Sequence, residues 1–94
     1  MASFIMAMTI NPTAKKTSTD LSGRIDESLN VFVERGAKVQ KLYATMGRYD
    51  CLAAFDAEDH KAAFKIASEI TSLGTLETET WPVIPFEEFS EMIG

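Results

Sequence analysis

An α+β fold built on one four-stranded antiparallel sheet is what this sequence predicts, and three observations carry the prediction. Four short runs, Ser3–Ile10, Lys38–Thr45, Cys51–Phe55 and Leu76–Trp81, have the length and composition of strands. Two stretches between them, from Arg24 and from Ala63, repeat apolar residues at helical spacing. Turn residues separate the elements: Asn11-Pro12, Gly36, Gly47, Gly74 and Pro82.

The first run, SFIMAMTI, is apolar on both of its alternating faces and is stopped by Asn11-Pro12. The polar segment NPTAKKTST that follows reads as a loop. Ile25, Leu29, Phe32 and Val33 then fall at i, i+4, i+7 and i+8, the stripe of an amphipathic helix. Ser22 or Thr19 is placed to cap its start, and Gly36 to close it in a left-handed conformation. KVQKLYAT is a strand with charges interleaved, whereas CLAAF is apolar at every position. Asp56 stands where an N-cap is needed, with Asp59 three residues on as its capping-box partner. Ala63, Ile66, Ala67, Ile70 and Leu73 form the second helical stripe, closed by Gly74. LETETW is the fourth strand, and Phe86, Phe89 and Met92 mark a short terminal helix with one apolar side.

The order is β-α-β-β-α-β, the ferredoxin-like split pattern, expected over residues 1–94 as one domain. Right-handed crossovers place the first and third strands in the middle of the sheet. Those two runs are apolar on both faces: Phe4, Met6, Met8 against Ile5, Ala7, and Cys51, Ala53, Phe55 against Leu52, Ala54. The outer strands carry Lys38, Lys41, Glu77 and Glu79, charges that discourage edge-to-edge aggregation. Two helices cover only one face of such a sheet. The other face would hold apolar side chains in water at about 25 cal/mol per Å². A homodimer, or a higher homo-oligomer, pairing through that face is therefore expected.

Composition narrows the chemistry. With 46% hydrophobic and 24% charged residues the chain is that of an ordinary soluble protein. A net charge of −5 and a pI near 4.7 argue against nucleic acid and anionic membranes as partners. One cysteine, no basic leader and no apolar run of about 20 residues lead to the expectation of a cytoplasmic protein. A single His and a single Cys in different elements give no metal-ligand spacing, and no phosphate loop or serine elbow is present. No metal, cofactor or catalytic residue is assigned. Glu87, Glu88 and Glu91 read as a solvated helix face.

The join MGRYDC, residues 46–51, closes the hairpin between the second and third strands. Gly47 is expected to supply a positive φ there. Asp50 is expected to accept turn N–H groups or to pair with Arg48 or Thr45, and Tyr49 to pack its ring. Cys51, in an apolar strand, reads as a buried, inert thiol. His60 reads as a half-buried packing histidine near the second helix start. Tyr43, Tyr49 and Trp81 are first of all sheet-packing aromatics. The sharper alternative gathers them around a pocket, with Arg24, Asp50 and His60 adding polar contacts for a small ligand.

These residues also carry a resemblance. YATMGRYDCLAAFDAEDHKAAF, LGTLETETW and FEEF together resemble the GYD-domain family, named for its glycine, tyrosine and aspartate. Those three would be Gly47, Tyr49 and Asp50, with Arg48 inserted after the glycine, and Arg24 resembles a recurring arginine of the family. The segment NPTAKKTST is longer than the family pattern. The resemblance implies a ferredoxin-like, dimeric α/β barrel and no particular activity. Three functions stay open: a small-molecule or protein binding and assembly module, a cofactor-independent small enzyme (oxygenase- or isomerase-like), and a scaffold with a filled interior.

Overall fold

The computed structural model describes residues 1–94. Its elements are β1 (Ala2–Ile10), α1 (Pro12–Thr17), α2 (Leu21–Glu34), β2 (Lys38–Ala44), β3 (Cys51–Ala57), α3 (His60–Ser72), β4 (Leu76–Val83) and α4 (Phe86–Met92). The sheet order is β2-β3-β1-β4, and every neighbouring pair is antiparallel. The expected ferredoxin-like arrangement is present, with the two doubly apolar strands in the centre. β4 runs through Pro82, which an edge strand tolerates because its outward positions need no ladder donor.

Local rules set the element ends, and three of them depart from the sequence reading. Residues 12–17 form a helical turn and a half, not a loop. The Asn11 side chain accepts from the N–H groups of Thr13 (2.9 Å) and Ala14 (3.2 Å), and Pro12 takes the first helical position, where no N–H is needed. The cap of α2 is Asp20, whose Oδ1 accepts from Gly23 N–H at 3.1 Å, rather than Ser22 or Thr19. The cap of α3 is Asp59, bonded to Ala62 N–H at 2.9 Å. Asp56 remains in β3, where its carboxylate accepts from Ser3 Oγ and Gln40 Nε2, both at 2.7 Å. In each case a side-chain oxygen three residues before an unpaired N–H wins, the Asn11 amide or the Asp20 and Asp59 carboxylates. The reason is that the first N–H groups of a helix have no preceding helical carbonyl to bond. Gly36 and Gly74 close α2 and α3 at φ of 75° and 81°.

One face of the sheet carries the core. Phe4, Met6 and Met8 from β1 and Ala53, Phe55 and Ala57 from β3 pack under α2 and α3. Phe55 sits at the centre, its ring 4.9 Å from Phe32 and 5.5 Å from Phe4. α3 presents Ala63, Ile66 and Ile70, as its stripe predicts. α2 buries Ser28, Val31 and Phe32 and turns Val33 outward. Ser28 is tolerated because its hydroxyl donates to the Arg24 carbonyl at 3.1 Å. An exposed Arg35–Glu69 pair at 3.0 Å ties the end of α2 to α3.

The other face has no helix on it, and the chain's own end does not cover it. Every residue from Trp81 to Gly94 is exposed, and the particle is elongated, 52 × 28 × 17 Å. A folded monomer of 10.4 kDa exposes roughly 5,400 Å², whereas this chain exposes 6440 Å². Its radius of gyration, 14.3 Å, likewise exceeds the roughly 12 Å of a compact chain of this length.

Candidate functional site

Register across the sheet decides which side chains share the uncovered face. Directly opposed residues point the same way, so the pairings give three transverse rows. They are Tyr43–Leu52–Ala7–Glu79, Lys41–Ala54–Ile5–Trp81 and Lys38–Asp56–Ser3–Val83. The middle is apolar, through Leu52, Ala7, Ala54 and Ile5. The β2 edge is basic, through Lys38 and Lys41; the β4 edge is acidic, through Glu77 and Glu79.

The 45–50 loop lays one aromatic ring onto this face. Asp50 N–H donates to Met8 O at 2.9 Å, and Asp50 Oδ2 accepts from Ile10 N–H at 2.7 Å. The carboxylate thus adds a rung where the β1–β3 ladder would otherwise end, supplying the acceptor that residue 49 no longer provides. Thr45 N–H donates to Asp50 O at 2.9 Å, and Thr45 Oγ1 donates to the Tyr49 carbonyl. The loop is closed by these bonds and not by backbone strain at Gly47, whose φ is not positive, contrary to the sequence expectation. A six-residue connection has room to turn without left-handed residues, which only the tightest hairpins require.

Freed from the ladder, Tyr49 reaches over to the edge strand β4. Its hydroxyl donates to Glu79 Oε2, and its ring meets Trp81 edge-to-face at 5.9 Å and 73°. Glu79 stands opposite Ala7, so the Tyr49 ring spans that position, and Ala7 is only 1% exposed. The hydrogen bond from Tyr49, with the Trp81 indole adding to it, holds the Glu79 carboxyl below its ordinary range. The same bond holds the Tyr49 hydroxyl above the ordinary phenol value. A carboxylate fixed between a phenol and an indole is a polar anchor on an otherwise apolar surface. Composition alone reads Glu79 as an edge-strand charge. The alternation in LETETW does put it in phase with Trp81, but its meeting with Tyr49 depends on strand order.

The sequence-selected residues divide between the two sides. Tyr49 and Trp81 meet at the β4 side of the open face, whereas the Asp50 carboxylate bonds the β1 backbone at the end of the β1–β3 ladder. Tyr43 shares that face but lies at the opposite edge, roughly 14 Å from Glu79 at 4.8 Å per strand. His60 and Arg24 belong to the helix side. His60 is the first residue of α3 and is exposed rather than half-buried, its ring edge-on to Phe4 at 6.4 Å. Arg24 is exposed on α2 and donates to Ser18 Oγ at 3.3 Å. Cys51 is half-buried, and its thiol is pushed up by burial, with Asp50 adding to the shift. No group of three or more His, Cys, Asp or Glu side chains is placed to hold a metal, and no helix is long and apolar enough to cross a membrane.

A concavity lies on the helix side, between α3 and β4, away from Tyr49, Glu79 and Trp81. It is a groove of about 410 Å³. Ala63 and Ala67 are too small to close the gap to Thr78, Thr80 and Pro82, and Phe64 stands at its rim, 75% exposed. The Thr80 hydroxyl is buried there without a hydrogen-bond partner.

Comparison with solved structures finds the same fold in several proteins. TTHA0845 from Thermus thermophilus matches with a TM-score of 0.60 and 20% identity, over 90% of this chain and 95% of that one. A feast-or-famine regulatory protein from M. tuberculosis, solved in complex with L-methionine, matches with a TM-score of 0.64 and 15% identity. There the match covers 90% of this chain and 51% of the regulator, so this chain spans about half of that protein's length. FFRP-DM1 matches with a TM-score of 0.63 and 16% identity, over 89% of this chain and 100% of that one. The comparison with curated proteins returns no match. At the level of sequence the GYD domain profile matches residues 4–93, nearly the whole chain. With its glycine, tyrosine and aspartate on the 45–50 loop and its sheet ordered as described, this chain belongs to the GYD-domain family.

Proposed function

We propose that the protein is a homo-oligomeric small-molecule-binding and assembly module, in which two copies pair through their open sheet faces and enclose a ligand site beside Tyr49, Glu79 and Trp81. The uncovered apolar face carries the reading. Leu52, Ala54 and Ile5 have no layer of the chain packed over them, although they lie on a four-stranded surface wide enough to dock another sheet. The surface surplus of roughly 1,000 Å² is similar to one partner's share of a standard interface, about 800 Å².

Charge selects the orientation. A two-fold axis parallel to the strands lays the basic β2 edge of one copy over the acidic β4 edge of the other, with Lys41 one row from Glu79. A perpendicular two-fold would oppose like charges. Between the sheets, the Tyr49–Glu79–Trp81 cluster then lines the mouth of an apolar space. A ligand with an apolar body and a donor group for Glu79 suits it. That the L-methionine complex of the mycobacterial regulator shares this fold supports a small-molecule role.

Sedimentation equilibrium tests the pairing. The expected result is dimer or larger at micromolar concentration, with Leu52→Glu lowering the mean assembly size. A parent chain that sediments as monomer throughout that range overturns the proposal.

A further inference from the structure

We infer that the C-terminal segment 84–93 is an exchange arm, whose helix α4 docks into the α3–β4 groove of a second copy. The inference is separate from sheet pairing and uses the opposite side of the molecule.

Two unpartnered surfaces point to each other. α4 is amphipathic: Phe86, Phe89 and Ile93 fall at i, i+3 and i+7, and are 74%, 45% and 69% exposed. That spacing is how a helix anchors in an apolar groove. The groove between Ala63, Ala67 and Pro82 is the matching concavity, with exposed Phe64 at its rim.

Charge agrees with shape. The arm from Ile84 to Gly94 carries Glu87, Glu88 and Glu91 and no basic residue. The surface of α3 that flanks Phe64 carries Lys61 and Lys65, neither held in an ion pair. Arg35 beyond them is already paired with Glu69, and Glu58 and Asp59 stand at the helix start. An α4 helix seated on Phe64 turns its glutamates toward the two lysines.

A second copy is the occupant, rather than the chain's own arm. The groove reaches Pro82, and only Val83, Ile84 and Pro85 separate that residue from α4. Pro85 stands in an extended conformation, φ −58° and ψ 143°, and every residue of the arm is exposed rather than folded back onto the groove. The arm leaves the groove open within its own chain.

Disulfide trapping between two species tests this. In a Cys51→Ala background, Phe64→Cys is made in one chain and Phe89→Cys in a second chain of distinguishable mass. Both positions are exposed, so neither change removes core packing. After mild oxidation of the mixture, mass spectrometry should find the two introduced thiols bonded between unlike chains in several-fold excess over either like pair. A statistical mixture of pairs overturns the inference. So does a chain carrying both substitutions that links internally at high dilution. The readout is the identity of the bonded partner, so it stays interpretable even where the sheet faces fail to pair.

Discussion

Asp50 shows how one side chain decides a loop. Its carboxylate accepts the Ile10 N–H that the ladder would otherwise leave orphaned in a half-buried position. Removing that acceptor should cost about 1–3 kcal/mol, the penalty of a buried donor left unpaired. Urea unfolding should therefore show Asp50→Ala clearly destabilised. Asp50→Asn keeps an acceptor oxygen and should lose less than half as much; equal losses would show the bond to be unimportant. Tyr49 and Glu79 form the second residue-scale unit. The Glu79 carboxyl is held low, so its contribution to stability is present above the ordinary carboxylate range and fades as pH falls through its lowered midpoint. The Tyr49 hydroxyl is held high, so its contribution is present below pH of about 10 and is lost as pH rises through the raised midpoint. In an NMR titration, Tyr49→Phe should move the Glu79 midpoint up toward the ordinary value. An unmoved midpoint would mean that the phenol does not hold the carboxylate.

At the scale of elements, caps and glycines set the boundaries that hydrophobic periodicity leaves vague. The stripe from Ala63 to Leu73 announces α3, yet both Asp56 and Asp59 stand upstream as possible caps. The β3 ladder runs to Ala57, so the helix starts at His60 and Asp59 is the cap. Asp59→Ala should cost about 1 kcal/mol, lowering the melting temperature by about 4–8 °C for a domain of this size. Asp56→Ala breaks only exposed bonds to Ser3 and Gln40 and should cost distinctly less; the reverse ranking in thermal melts would make Asp56 the helix-start residue. The segment 12–17 teaches the same lesson from the other side. Six residues carry no readable apolar stripe, so only the Asn11-Pro12 pair advertises a helix start, and that pair is equally a turn signal.

At the scale of the molecule, the sheet has more apolar surface than its helices hide. Leu52 lies centrally in the uncovered face, between Tyr43 and Ala7. A glutamate there would be buried without a partner in the proposed pair, a penalty of several kcal/mol. The expected drop in assembly size for Leu52→Glu is large for that reason, where a rim change such as Glu77→Gln would be nearly silent. The exposed α4 and the α3–β4 groove on the helix side add a second pair of unsatisfied surfaces. A chain with only 16 of 94 residues buried has little core of its own, so contacts with further copies would add materially to its stability.

The four strands, helices α2, α3 and α4, the two central strands and the core positions of β1, β3 and α3 were legible in the sequence, because alternation and helical spacing are local records of which side faces away from water. Helix α1 and the outward turn of Val33 were not. The meeting of Tyr49 with Glu79 and Trp81 was not legible, since it links a loop to a strand 30 residues away through register alone. The same holds for the division of Tyr49 and Trp81 from His60 and Arg24. Sequence places each on an element, but the sheet's two faces are assigned only when four strands are paired. Tertiary structure decided the site because side-chain direction alternates at every residue, and a face exists only relative to its neighbours.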